Sequence, residues 1–237
     1  MIGQLLDFIW PRRCEVCARA VDRPGRYVCS ACMMRLDFNP VAGCCRVCSR
    51  PVEGFAGDYL CEECRMHPPV FDRSVAALVF ELESRRMILD FKFRQHTYLA
   101  ADFVDWLEAV ARARLPVDEI DVIAPVPMLF IRRLLRGYNQ CDILASGLAK
   151  RLGKPFCGRL LKRTGSPRRQ SELGEAERRE NVKGTFAAGR SSDISGRTVL
   201  LIDDVITTGS TLSECALMLK EAGARRVFCA ALANAAR

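Results

Sequence analysis

The chain has 237 residues, 49% of them hydrophobic, with a formal net charge of +8; that size suits one ordinary domain with a small appendage. No run approaches the ~18 apolar residues of a membrane span. Residues 1–10 lack a basic start and carry Asp7 inside a short apolar run, which argues against a secretory signal and makes the cytoplasm the expected compartment.

Residues 1–13 read as a short amphipathic helix, with Leu5, Phe8 and Ile9 on one face and Pro11 at its end. Packing on the next module is the plainer role for it, and membrane contact is the alternative. Eight of the thirteen cysteines then follow as C-x-x-C pairs: Cys14/Cys17, Cys29/Cys32, Cys45/Cys48 and Cys61/Cys64. Without an export signal, paired spacing favours zinc over disulfides. Each half reads as a short zinc ribbon, whose closed tetrahedral site is structural. Tandem pairing is expected, and interleaved pairing uses the same residues. Two zinc ions on eight thiolates would bring the formal +8 down to about +4, a weak argument for a polyanion partner. Few large apolar residues lie here, so metal must supply much of the folding energy. Cys44, Cys141, Cys157, Cys215 and Cys229 read as small buried hydrophobes, and His67 as a surface residue rather than a ligand.

After a linker at 67–70, a strand is expected over 74–80, helices over 84–93 and 97–115, and a second buried strand over 120–124. Lys92 and Arg94 supply cations between the two helices. The strand at 120–124 runs into Pro125-Val126-Pro127-Met128, a turn that proline prevents from continuing strand pairing. Arg132, Arg133 and Arg136 precede Gly137-Tyr138-Asn139-Gln140 and a helix to about Arg151. Arginines beside an Asn-Gln pair suit pyrophosphate, and a plain basic helix face is the competing view. A short strand near 159–162 precedes a polar, mixed-charge loop over 163–184, and Thr185-Phe186-Ala187 resumes apolar character.

Residues 198–202 form an almost wholly apolar run, as in a strand buried on both faces. Asp203 and Asp204 follow, then the small hydroxyl-rich loop Thr207-Thr208-Gly209-Ser210-Thr211. Leu212, Cys215, Ala216, Leu219 and Ala222 then recur at helical spacing, with Thr211 and Glu214 at capping-box spacing and Gly223 as the stop. The loop at a helix N-terminus is an anion site, and the carboxylates beside it suit hydroxyls or a magnesium ion reached through water. A ribose 5-phosphate satisfies both halves. No Gly-Lys-Ser/Thr follows the glycine, which excludes a Walker loop. A last strand spans 226–233. Strands alternating with helices predict a parallel α/β sheet.

The stretch 198–211 resembles the phosphoribosyl pyrophosphate (PRPP) loop of type I phosphoribosyltransferases. Together with Pro125-Val126-Pro127, Arg136-Gly-Tyr-Asn-Gln140, Arg163-Thr164, Gln170, Leu173, Arg178-x-x-Asn181, Gly184-x-Phe186 and the cysteine pairs, it makes nearly the whole chain similar to the ComF family (competence protein F, GntX-like). Thr185 stands where that family usually has alanine. The resemblance implies a zinc-ribbon region over 1–68 and a type I phosphoribosyltransferase fold over 69–237. It implies two zinc ions on Cys14, Cys17, Cys29, Cys32, Cys45, Cys48, Cys61 and Cys64, and PRPP bound with magnesium. Asp203 and Asp204 would take the ribose hydroxyls directly or through the metal, and Thr207 to Thr211 the 5-phosphate. Val126, Pro127 and Met128 would form the pyrophosphate loop, with Arg136, Asn139, Gln140, Arg163 and Arg178 as anion contacts. Residues 163–178 would be a mobile cover. The implied role is in DNA uptake during natural transformation, with the uptake machinery at the cytoplasmic side of the inner membrane as partner. Whether transfer occurs, and to which acceptor, the family leaves open. A non-catalytic module binding single-stranded DNA or sensing PRPP is the alternative, with Tyr138 the one aromatic beside its arginines.

Overall fold

The computed structural model describes residues 12–52, 59–165, 184–189 and 194–235. The N-terminal helix expected over 1–13, all but its last two residues, lies outside that set. So does Arg178.

Four strands form one parallel sheet in the order β1-β6-β5-β2: β1 (Arg73–Val79), β2 (Val122–Pro125), β5 (Thr198–Ile206) and β6 (Arg226–Asn234). Their apolar composition follows from burial on both faces; β6 carries the small residues Ala230, Ala231 and Ala233, all buried. Two more strands, β3 (Leu161–Arg163) and β4 (Phe186–Ala188), make a separate antiparallel ribbon.

Helices α3 (Leu82–Phe93), α4 (Ala100–Arg114) and α6 (Gln140–Leu152) cover one face, where Phe91, Phe103, Leu107, Leu144 and Leu148 meet Leu200 and Ile202. Two short helices of the cysteine region, α1 (Ser30–Met33) and α2 (Glu62–Met66), precede them, and α5 (Phe130–Arg136) lies between α4 and α6. Helices α4 and α6 approach closely at Gly147, where a Cβ would lie 2.6 Å from Val104. Helix α7 (Ser210–Glu221) covers the other face together with β3 and β4; Leu212, Ala216 and Leu219 pack there with Leu161, Phe186 and Leu201.

Both sheet edges are covered, which removes the unpaired backbone that invites aggregation. Along β1, Asn39 N donates to Ala77 O and Val79 N to Asp37 O, both at 2.8 Å, and Ser74 N donates to Val47 O at 2.6 Å. Along β2, Ile123 N donates to Pro155 O and Cys157 N to Ile123 O, both at 2.9 Å. The segment shielding β1 belongs to the cysteine-rich region, so that region closes the sheet as well as holding its own sites.

The cysteines separate into two tetrads in tandem, Cys14/Cys17/Cys29/Cys32 and Cys45/Cys48/Cys61/Cys64, each with four Sγ atoms within 4.8 Å of one another. That excludes the interleaved pairing. Sγ atoms on a tetrahedral zinc with bonds of about 2.3 Å stand about 3.8 Å apart. Cys17 and Cys29 are at 3.8 Å and Cys48 and Cys61 at 3.6 Å, so the residues fit the metal. Backbone N–H groups of Cys29 and Cys61 point at Cys14 Sγ and Cys45 Sγ, both at 3.4 Å, where they stabilise the thiolate charge and orient the ligands. Cys14, Cys29 and Cys32 belong to the main core, whereas the second tetrad forms a small cluster of its own. Fully buried Asp102 on α4 accepts from Arg23 Nη1 at 2.9 Å and from Tyr27 N at 2.7 Å, tying the first tetrad's loop to the helix.

Three local expectations are corrected. Strand β5 runs four residues past Ile202 and contains Asp203 and Asp204, because β6 stays paired with it through Asn234. Pro125 still lies in β2, and Val126 N donates to Ile202 O at 2.9 Å; proline removes only its own donor, and the next amide resumes the pairing. Thr211 does not cap α7. Gly209, at φ 74°, is the N-cap without a side-chain cap bond, and the Glu214 carboxylate instead accepts from Gly184 N at 2.6 Å. Among the described residues, no helix is long and apolar enough to cross a membrane.

Candidate functional site

At the carboxyl ends of β2 and β5 lies a cavity of about 460 Å³, the position where open α/β sheets gather ligands. One wall is Asp203, Asp204, Thr207, Thr208, Ser210 and Thr211; the opposite wall is Val126, Pro127 and Met128, with Arg136, Asn139, Gln140 and Arg163. Thirteen of the fifteen non-cysteine residues singled out in the sequence therefore line one space. Gly209 stands behind the wall against Phe71; its left-handed φ, which glycine adopts without a Cβ penalty, turns the strand end into the helix start. Arg178 lies outside the described residues.

The loop at 207–211 leads directly into α7, whose first amides have no intrahelical acceptor. Thr208 Oγ1 and Ser210 Oγ are 2.6 Å apart and turn their hydroxyls together at this end. Hydroxyls, free amides and the positive end of a 12-residue helix are groups that can hold an anion.

The facing loop is held by Asn139. Its Nδ2 donates to Val126 O at 3.2 Å and its Oδ1 accepts from Cys141 N at 3.2 Å, capping α6. Buried Asn139 thus positions the loop and also lines the cavity. Gln140 is also buried: Nε2 donates to Asp204 Oδ2 at 3.0 Å, and Oε1 accepts from Arg136 Nη1 at 2.6 Å. Gly137 at φ 85° ends α5, as glycine commonly does at a helix end, and lets the chain turn so that Arg136 and Gln140 meet.

Four lining residues stand outside the site set drawn from the sequence: Lys92, Arg132, Cys141 and Val205, of which Arg132 was read only as one of three arginines that suit pyrophosphate. Lys92 Nζ lies 2.5 Å from Asp204 Oδ2. Its signal was the Lys92–Arg94 cation pair at a helix end, which carries no address. Cys141 is buried beneath the carboxylates, its Sγ 3.5 Å from Asp203 Oδ1; it is part of the site floor and more than a packing residue.

The two carboxylates are electrostatically distinct. Burial, and then the neighbouring Asp204 anion, push the Asp203 carboxyl up to about 7. Burial also works against the Asp204 anion, but the Lys92 ammonium outweighs it and holds that carboxyl below its ordinary range. Lys92 itself is pushed down by burial, yet Asp204 brings it out above the ordinary lysine value. Burial, with Asp203 next, raises the Cys141 thiol well above its usual value, so it stays protonated. Arg132 and Arg163 complete the cation set, Arg163 stacking its guanidinium over Phe186 with 5.0 Å to the ring centroid.

A hydroxyl-rich helix start beside a carboxylate pair at the end of a parallel sheet, in a chain that also carries two cysteine tetrads, defines a type I phosphoribosyltransferase fold with an N-terminal double zinc ribbon. The phosphoribosyl transferase domain model matches residues 139–237, and the double zinc ribbon domain model matches residues 5–65. The chain is 29% identical over 227 residues to competence protein F of Haemophilus influenzae (strain ATCC 51907 / DSM 11121 / KW20 / Rd), covering 94% of this chain and 97% of that one. It is 30% identical over 217 residues to the DNA utilization protein YhgH of Salmonella typhi, covering 84% and 93%. Against the amidophosphoribosyltransferase of Escherichia coli (strain K12) it is 33% identical over 126 residues, 53% of this chain and 22% of that enzyme. The chain belongs to the family of competence protein F and DNA utilization protein YhgH.

Proposed function

We propose that the cavity binds PRPP with magnesium and that the protein uses it in DNA utilisation linked to competence. One observation carries this reading: the Asp203–Asp204 pair and the 207–211 cradle share one cavity with Lys92, Arg132, Arg136 and Arg163. Phosphate fits the cradle, vicinal hydroxyls fit the carboxylates, and pyrophosphate fits the cations beside Val126–Met128. Magnesium, when bound, supplies charge for the leaving pyrophosphate. The chain's own residues orient the sugar and, through the arginines, stabilise charge developing on the departing group. If transfer occurs, the C1–pyrophosphate bond breaks as an acceptor bonds to C1, and pyrophosphate leaves with the electron pair. Neither histidine lies on the cavity wall, so an acceptor with its own lone pair suits the site.

The test is isothermal titration of PRPP into zinc-loaded protein, with and without magnesium. Wild type is expected to bind. Asp203→Asn with Asp204→Asn is expected to lose at least tenfold in affinity while keeping its melting transition. The asparagines preserve shape, where alanine would strand Lys92 without its partner. Unchanged affinity in the double variant would refute the site.

Single-stranded DNA is a second reading, favoured by one observation. Phe93 and Phe130 are 63% and 78% exposed beside Arg132 and Arg136, and Arg136 lies over the Phe93 ring at 4.8 Å. Exposed aromatics next to cations form a stacking platform. Tyr138 does not serve there, since its hydroxyl donates to Phe91 O.

A further inference from the structure

Lys92 reaches the cavity from a part of the chain that supplies no other lining residue. Helix α3 starts where Phe80 N donates to Asn234 O at the end of β6, and it finishes beside the end of β5. It therefore runs across the carboxyl ends of the strands, and its penultimate residue meets Asp204. The carboxylate is filled by protein donors on both oxygens: Lys92 Nζ at 2.5 Å and Gln140 Nε2 at 3.0 Å on Oδ2, and Val205 N at 2.9 Å on Oδ1. With Arg136 bonded to Gln140, an unbroken chain runs Arg136–Gln140–Asp204–Lys92. Asp204 is 7% exposed, whereas Lys92 is 29% exposed and lies on the cavity wall. An ion pair whose only task was to neutralise a buried carboxylate would not need its cation on an open wall.

We propose that Lys92 is a built-in cation of the ligand site, supplying at Asp204 the positive charge that a divalent cation would otherwise bring. The inference rests on the PRPP reading of the cavity. A ribose hydroxyl or a hydrated metal that takes Asp204 Oδ2 frees the ammonium. Its flexible four-carbon stem then carries the charge the short distance to the pyrophosphate oxygens. Binding of the anion therefore keeps a component independent of metal, and Lys92 and magnesium are partly redundant.

The test compares Lys92→Met and Lys92→Arg with wild type by isothermal titration of PRPP, once in EDTA and once in saturating magnesium, on protein checked for two zinc ions and an unchanged circular dichroism spectrum. Methionine is close to lysine in length and helix propensity and removes the charge together with the N–H donors that reach Asp204. A lost charge-assisted contact corresponds to about a ten- to hundredfold loss of affinity. That loss is expected for Lys92→Met in EDTA, shrinking to under about threefold with magnesium, while Lys92→Arg restores most EDTA binding. Equal losses with and without metal, no loss in EDTA, or a gain of affinity would each overturn the assignment while leaving PRPP binding by wild type intact. Wild type that binds PRPP under neither condition would overturn the reading of the cavity, and this assignment with it.

Discussion

Asp102 joins the cysteine region to the sheet domain, so Asp102→Ala measures how firmly that region is built into the fold. The carboxylate is fully buried and accepts two bonds, from Arg23 at 2.9 Å and from Tyr27 N at 2.7 Å. Removing one partner of a buried pair costs about 3–5 kcal/mol. Two features lower that figure here. Burial raises the Asp102 carboxyl above its ordinary value, so desolvation already offsets part of what the pair contributes. Arg23 also keeps Val28 O at 3.2 Å and has Asp105 at 3.9 Å to turn to. A loss of about 2–3 kcal/mol remains, which for a chain of this size lowers the melting temperature by roughly 5–10 °C. Thermal denaturation in zinc-replete buffer reads it. A chromogenic chelator should in parallel show faster zinc release from the first tetrad. Arg23→Ala and the double variant close a cycle with a positive coupling energy. A melting temperature within about 1 °C of wild type, with unchanged zinc release, would show that the cysteine region is only tethered to the domain.

The two tetrads should differ in their consequences. Cys14→Ser and Cys45→Ser are each expected to reduce the metal content from two zinc ions to one. Cys14→Ser should lower the melting temperature more, because Cys14, Cys29 and Cys32 share a core with Val75 and Phe103; equal falls would contradict that packing. For the DNA reading, Phe93→Ala with Phe130→Ala should weaken binding of a thymidine oligonucleotide by at least about tenfold if the rings stack on bases. In a gel-shift assay the wild-type affinity should also fall with salt; binding indifferent to salt or to loss of both rings would remove that reading.

Much of the site was legible because its chemistry is local. Thiolates that share one ion commonly come as C-x-x-C pairs, so the spacing announced the eight ligands, while the structure grouped the pairs in tandem. A strand buried on both faces has to be apolar, which marked β5, and a phosphate loop needs small residues and hydroxyls in sequence, which marked 207–211. Local pattern also misled. Thr211 and Glu214 stand at capping-box spacing, yet Gly209 takes the cap and Glu214 binds Gly184 N, because β5 extends beyond its apolar run and the loop tightens around it. Nor did local pattern show that Asn139 fastens the facing loop through Val126 O.

By itself, then, the sequence determined most element types, the eight cysteines of the metal sites and most of the residues on both walls of the cavity. Only the tertiary structure decided what fills the space between the walls and what closes the sheet. Lys92 reaches Asp204 from a helix that shares no motif with it, and residues 37–39 shield β1 through backbone bonds, which any side chains can make. The physical reason is range. Metal ligation, strand burial and helix capping act between residues a few positions apart and leave a pattern in the order of the chain. An ion pair across a cavity and a strand edge covered by a distant segment depend on where the packed core brings those segments, and no spacing in the sequence records that.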